Sequence, residues 1–138
     1  MLDFITERFT EISLKCLERN AKEQGAALTD MALVFKLDGE GEVEYMILKN
    51  YQPVKTVTFL EVLGVRIDFK GYSLFVPKFI QGALNRFCQS HKIEKSDVRV
   101  LLTFTKEKKM VMWLYNKSAH VEQVTLDSLF DATDIMES

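Results

Sequence analysis

The sequence predicts an α+β protein in which two pseudo-equivalent helix-hairpin (αββ) units form one antiparallel sheet of four to six strands, with two helices packed on one face. Residues 96–117 hold two apolar runs on either side of a charged tip, a pattern typical of a β-hairpin. Residues 29–50 have the same form at a constant offset, the one that separates Asp30 from Asp97. A helical periodicity precedes each hairpin, so each half of the chain predicts one layer of helix on one layer of sheet.

The correspondence at this offset extends beyond the hairpins. Sliding residues 29–64 onto residues 96–131 without a gap places apolar on apolar residues at 15 of 36 positions, whereas the two compositions alone give about 8.5. Part of this excess is expected, because any two hairpins of equal length share their alternation. We interpret the remainder as an internal duplication or as pseudo-symmetry.

Length and composition indicate one domain of 138 residues, 47% of them apolar. The predicted organisation is a single domain over residues 1–138, with pseudo-repeats at about 1–64 and 65–131 and an acidic, frayed tail at 132–138. No run reaches the roughly 18 uncharged apolar residues of a membrane span, and the first residues lack the pattern of a secretory signal. We therefore expect a cytoplasmic protein without membrane contact.

The first half begins with an amphipathic helix over residues 2–23, which Gly25 ends. Its main apolar positions fall within an arc of under about 90° at the helical period; they are Leu2, Ile5, Phe9, Ile12 and Cys16. The first hairpin follows, with glycines in its tip at residues 38–42. Residues 51–53 are predicted to stop any strand, because Pro53 has no N–H to donate to a ladder.

A capping box is predicted next, in which Thr58 and Glu61 satisfy each other's backbone amides at the start of a short helical turn. Residues 65–70 alternate apolar and charged, which favours an edge strand. The second helix is expected to begin between Ser73 and Pro77 and to run to about His91. After the second hairpin, residues 120–124 form a possible short strand, and Thr125 with Ser128 repeats the capped turn in weaker form.

The hairpin strands are apolar on both sides. Leu102 and Phe104 alternate with Leu101, and Met112 and Leu114 alternate with Trp113, although two helices cover only one face of the sheet. The second face is therefore predicted to bind something. A second copy of the chain is the simplest partner, since a twofold contact needs only one self-complementary surface.

We expect no catalytic residue, no metal ligand set and no cofactor. Cys16 and Cys88 fall among apolar helix positions, as buried thiols do. His91 lies one helical turn from Cys88, yet a helix-end histidine is the simpler interpretation. An acid–base pair of Asp30 and Asp97 competes with turn capping by the same carboxylates. No glycine-rich phosphate motif and no clustered histidines or cysteines are present.

Charge is segregated along the chain, although its formal total is only −2. Residues 70–117 carry ten basic groups against three acidic ones, and residues 118–138 carry five acids and no lysine or arginine. Basic groups interleaved with aromatic residues on a sheet are typical of proteins that bind single-stranded nucleic acid. The candidate binding residues of this second hairpin are Arg99, Lys106, Lys108, Lys109 and Trp113.

The first interpretation of function is a non-enzymatic protein-binding or assembly module, a homodimer or higher oligomer that uses its exposed sheet face and charged hairpin tips. The acidic segment at residues 38–44 and the basic segment at residues 106–109 are complementary, which would help select such a partner. Nucleic-acid binding through the basic second hairpin is the alternative. A small enzyme whose site is not evident from the sequence is the third.

Overall fold

Alternating strand residues and helical apolar stripes place one sheet under one layer of helices, as the sequence predicts. The computed structural model describes residues 2–64 and 76–131. Their elements are α1 (Leu2–Gln24), a 3₁₀ turn (Leu28–Asp30), β1 (Met31–Leu37), β2 (Val43–Lys49), β3 (Gln52–Val57), α2 (Phe59–Leu63), α3 (Val76–His91), β4 (Val98–Phe104), β5 (Met110–Asn116), β6 (Ala119–Val124) and α4 (Leu126–Leu129). The α+β class and the antiparallel sheet are confirmed.

The six strands form one antiparallel sheet in the order β3-β2-β1-β4-β5-β6. The two hairpins meet at its centre, where β1 pairs with β4 so that Leu33 lies opposite Leu102 and Lys36 opposite Arg99. Because this central pair is antiparallel, the tip of the first hairpin lies at one end of the sheet and the tip of the second hairpin lies at the other.

The geometry of the first unit recurs in detail at the equivalent positions of the second. Both hairpins have an irregularity in their outer pairing, between Ile47 and Leu48 and between Leu114 and Tyr115. The amide of Asn50 donates to the Asp30 carbonyl at 2.8 Å, and the amide of Lys117 donates to Asp97 at the same distance. The structure thus has pseudo-equivalent units; their origin by duplication stays a prediction, because shared geometry does not establish history.

One side of the sheet forms the main core with α1 and α3. Every second strand residue points to it, and Leu33, Ile47, Leu102 and Leu114 are fully buried there. Phe130, directly after α4, connects the two long helices, since its ring centroid lies 4.9 Å from Phe9 of α1 and 5.5 Å from Phe79 of α3. The hydrophobic contacts of the core therefore join both halves of the chain.

Each long helix also holds the short helix of its own unit. The Arg19 guanidinium donates to the carbonyls of Glu61 and Val62 at 3.1 and 3.3 Å, and Arg86 donates to the carbonyl of Ser128. These arginines stand at equivalent positions, and carbonyls near a helix C-terminus attract cations.

Both predicted capped turns are confirmed. The amide of Glu61 donates to the Thr58 hydroxyl at 3.2 Å, and the amide of Ser128 donates to the Thr125 hydroxyl at 3.1 Å. In each turn the side chain of the third residue accepts a hydrogen bond from the amide of the capping threonine. The two helical turns therefore begin with the same reciprocal pair of bonds.

Among the predictions about the strands, the one for Pro53 is wrong and the one for residues 65–70 falls outside the described residues. Pro53 does not stop the sheet: after a turn the chain returns as β3, which contains Pro53 and pairs only with β2 at the edge. Proline is tolerated there because an edge strand has one side without a partner. With β6, each unit has three strands instead of the predicted two. The predicted strand at 65–70 and the predicted tail at 132–138 lie outside the described residues.

The ends of α1 and α3 generate a prediction about stability. Gly25 and Lys92 are equivalent and both have positive φ, 61° and 54°, and after each a backbone amide closes the helix end. A left-handed conformation costs a non-glycine residue roughly 1–2 kcal/mol. We expect Lys92→Gly to raise the free energy of unfolding by up to about 1 kcal/mol, and Gly25→Ala, whose added Cβ meets no atom within 4 Å, to lower it. Urea titration of both variants measures the two changes in the free energy of unfolding. Changes of the same sign in both variants would contradict the shared geometry of the two helix ends.

Candidate functional site: the open face of the sheet

The sheet face opposite α1 and α3 carries no helix within residues 2–64 and 76–131, and we call it the open face. Its central row crosses four strands, since Val34 lies opposite both Met46 and Leu101, and Leu101 lies opposite Trp113. Around this row, Ala32, Val34, Leu48 and Leu101 form a second hydrophobic cluster, separate from the main core, with Met46 and Tyr115 packed against it. The open face is therefore apolar at its centre.

An aromatic group occupies the β5–β6 side of the open face. The Tyr115 hydroxyl and the His120 Nε2 atom lie 2.7 Å apart in a hydrogen bond, and the two ring centroids are 4.5 Å apart. The ring of Trp113 meets the same histidine edge-on at 5.3 Å. Burial raises the pKa of the Tyr115 phenol, and the charge of Tyr51 adds a smaller effect in the same direction. These rings extend the apolar centre towards β6.

Polar side chains continue the row of Tyr115 across the sheet, since Arg99 lies directly opposite Tyr115. Lys36 forms an ion pair with Glu44 at 3.3 Å, and Arg99 lies opposite Lys36 on β4. The guanidinium of Arg99 donates to the carbonyls of Asp97 at 2.9 Å and Ser96 at 3.4 Å. Arg99 is thus held against the start of its own strand.

The two hairpin tips share one backbone geometry and differ in charge. We define the acidic tip as residues 38–42 and the basic tip as residues 105–109. In the acidic tip the Asp38 amide donates to the Glu42 carbonyl at 2.8 Å, and in the basic tip the Thr105 amide donates to the Lys109 carbonyl at 2.9 Å. The acidic tip carries three acids, and the basic tip carries three lysines and one glutamate.

A long helix from the other unit contacts each tip. Gln81 of α3 donates to the Gly41 carbonyl in the acidic tip at 2.7 Å. The Lys108 ammonium in the basic tip lies 2.9 Å from Glu18 of α1. These two contacts cross between the units, and each helps to hold one tip in place at its end of the sheet.

A cleft of ≈ 490 Å³ lies beside the acidic tip, between it and the starts of α2 and α3. Its lining includes the carboxylates of Asp38, Glu42 and Glu44 and one lysine, Lys78. Tyr45, also in the lining, is buried, and burial raises the pKa of its phenol. Apart from the acids of the tip itself, the cleft thus contributes one carboxylate, Glu44, which is paired with Lys36, and one lysine, Lys78.

The five binding residues predicted from the sequence do not form one compact site. Arg99 and Trp113 lie on the open face, whereas Lys106, Lys108 and Lys109 lie beyond the other end of the same hairpin. Lys108 is directed to α1. Together they form a line along the hairpin, and sequence reasoning did not anticipate His120, whose place beside Tyr115 depends on the irregular pairing of β5 with β6.

The catalytic alternatives weighed from the sequence do not form. His91 lies 2.9 Å from both Glu122 and Ser90, so both of its ring nitrogens have partners other than Cys88. Asp30 precedes β1 and Asp97 precedes β4, and since these strands are antiparallel the two carboxylates lie at opposite ends of the sheet. The acid–base pair of Asp30 and Asp97 is therefore wrong.

The described part of the chain has neither a cluster of metal-binding side chains nor a membrane-spanning helix. It contains no group of three or more His, Cys, Asp or Glu side chains placed to hold a metal ion. Over the same residues, no helix has both the length and the apolar character that crossing a bilayer requires.

Both thiols are buried, and burial raises the pKa of Cys16 and of Cys88. A raised pKa leaves less of the reactive thiolate at a given pH. We expect alkylation by iodoacetamide to need more alkaline pH in the native protein than in urea, as measured by mass spectrometry over a pH series. Rapid native alkylation of Cys88 near neutral pH would contradict this and support a nucleophilic role.

The open face and the two tips are the features of this fold with the strongest chemical character. Comparison of the chain with protein-family models, with curated protein sequences and with solved structures found no match. The function must therefore be inferred from these surfaces.

Proposed function

We propose that the protein is a non-enzymatic assembly module that forms a homodimer by packing the open face of one copy against the open face of another. The observation that carries the proposal is the apolar row of Met46, Val34, Leu101 and Trp113, which crosses four strands without a covering helix in the described part of the chain. Val34 and Leu101 are only 6% and 8% exposed in the single chain, so the accessible apolar surface of the row belongs to the half-buried Met46 and Trp113. Removing apolar surface from water yields about 25 cal/mol per Å², so covering these two side chains is favourable.

The size of the open face suits a dimer of moderate affinity. Six strands about 4.8 Å apart, each of about seven residues at roughly 3.3 Å, give a face of about 29 by 23 Å. This footprint is roughly 650 Å² per copy, of the same order as the about 800 Å² of accessible surface that each partner buries in a standard interface. Contacts at the ends of the face would add to it.

A second copy suits this surface better than an unrelated partner, because the chain carries both members of a charge pair. The acidic and basic tips are complementary and lie at opposite ends of the same sheet. Opposite charges at the rim of an interface increase the association rate and select the partner. A twofold contact uses both tips of both copies.

The first prediction tests the apolar row. Trp113→Glu places a charge in this row at a side chain that is only half-buried in the single chain, and we expect it to convert the dimer into a folded monomer, raising the dissociation constant at least about tenfold because a buried unpaired charge is costly. Light scattering after gel filtration gives the mass, and circular dichroism verifies folding.

Leu60→Glu is the matched control. Leu60 is the most exposed large apolar side chain of the described residues, at 72%, and it belongs to α2 on the helix side. This variant should remain dimeric. A wild-type protein that stays monomeric at tens of micromolar would contradict the proposed function.

Binding of single-stranded nucleic acid is the second candidate function. The observation that favours it is the group of Trp113, Tyr115 and His120 rings beside Arg99 on an exposed sheet. Bases stack on aromatic side chains of this kind, and nearby cations contact the phosphates. The total charge of −2 limits the strength of such binding.

This candidate predicts that a fluorescent single-stranded oligonucleotide binds with an affinity that falls steeply as salt increases. Replacing Lys106, Lys108 and Lys109 with Glu should abolish the anisotropy signal, and Trp113→Ala should weaken it by roughly tenfold, since stacking contributes about 1–3 kcal/mol per base. Unchanged binding by the triple variant would exclude this function.

A further inference from the structure

We propose that the twofold axis of the dimer runs across the strands, so that the basic tip of each copy shares an end of the interface with the acidic tip of its partner. This inference rests on the proposed function, because it assumes that the open faces pack together. It goes further by assigning the partner's orientation and the residues that meet.

The axis of a face-to-face dimer lies between the two sheets and parallel to them. Sheets pack either with their strand directions within about 30° of each other or at roughly 90°. In the aligned class, which we propose for this dimer, the axis has two limiting orientations. An axis along the strands brings like ends of the two sheets together, so each acidic tip lies near the other acidic tip. An axis across the strands brings opposite ends together.

Charge favours the axis across the strands. The acidic tip carries Asp38, Glu40 and Glu42. The basic tip exposes lysines at the other end. Like charges brought together repel each other, whereas opposite charges select the orientation. With this axis, the acidic tip of one copy and the basic tip of its partner lie at the same end of the interface. They are displaced from each other across the strands by two strand spacings, about 10 Å.

Side-chain size independently favours the same axis. With the axis across the strands, β1 covers the partner's β1 in the reverse direction, so the small Ala32 faces the partner's Lys36. In the same way Thr103 of β4 faces the partner's Arg99, because the four residues occupy symmetric rows of the sheet. Each long cationic side chain then lies over a small one.

The axis along the strands gives the opposite result. It places β1 over the partner's β4, so Lys36 faces the partner's Arg99 and Ala32 faces the partner's Thr103. Two long cationic side chains would then meet in one place, where Glu44 offsets only the charge of Lys36, and two small residues would leave a gap in another. Packing and electrostatics both disfavour that dimer.

Thr56 and Gln123 allow a direct test with introduced cysteines. They lie at the two outer ends of the central row, opposite Met46 on β3 and opposite Trp113 on β6 respectively, and both are exposed. Facing sheets are about 10 Å apart, a gap that a short bis-maleimide reagent spans. The wild-type protein is the control, because Cys16 and Cys88 are buried.

With the proposed axis, Thr56→Cys alone cross-links to a second copy of itself, and Gln123→Cys alone does the same. If cross-links form only when the two cysteine variants are mixed, the proposed axis is wrong and the proposed function remains intact. A protein that is monomeric, or a dimer in which neither the single variants nor their mixture cross-link, would overturn both the axis and the open-face dimer.

Charge reversal provides a second readout of the axis. At low salt, reversing Lys106 and Lys109 to Glu, or Glu40 and Glu42 to Lys, should raise the dissociation constant about fivefold to tenfold. A variant with all four reversals should recover wild-type affinity, and Lys22→Glu on α1 should have no effect. If each pair of reversals leaves the affinity unchanged, the tips do not meet in opposite pairs.

Discussion

The antiparallel pairing of β1 with β4 is the constraint on which the rest of the fold depends. A two-stranded hairpin alone is at best marginally stable in water, and each unit contributes one hairpin with an added edge strand. Pairing Leu33 with Leu102 at the centre produces a single sheet wide enough for two long helices. It also reverses one unit relative to the other, which separates the two charged tips.

The two units share one backbone geometry and differ in the side chains that it carries. Gly41 and Lys108 stand at equivalent positions in the two tips, and both have positive φ, 82° and 63°. A glycine suits that conformation without cost, whereas a lysine is strained there. Lys108 compensates in part through its ion pair with Glu18. The basic tip thus retains a costly residue whose charge distinguishes it from the acidic tip.

Local patterns in the sequence predicted local structure well. Alternation within each hairpin identified both faces of β1, β2, β4 and β5, and the pairs Thr58 with Glu61 and Thr125 with Ser128 identified both capped turns. In such cases, neighbouring residues alone determine the geometry. The constant offset between the two hairpins then carried the prediction from one unit to the other.

The failures have a common physical cause, which is that they depend on the order of the strands. Pro53 excludes a central strand but is compatible with an edge strand, and no local pattern shows whether the segment after Asn50 pairs with the sheet at all. Asp30 and Asp97 occupy repeated positions, yet antiparallel pairing separates them, which excludes the alternative of an acid–base pair. The five binding residues remain a prediction, and the strand order places them along one hairpin, with Arg99 near its start and the basic tip at its turn.

The edges of the sheet determine what kind of assembly the open face permits. An exposed edge strand normally invites other chains to extend the sheet without limit. Here β3 contains Pro53, which has no amide hydrogen to offer, and the pairing of both β3 and β6 with the rest of the sheet is irregular. Extension into fibres is thereby discouraged at both sides, which leaves the open face as the surface for the proposed dimer.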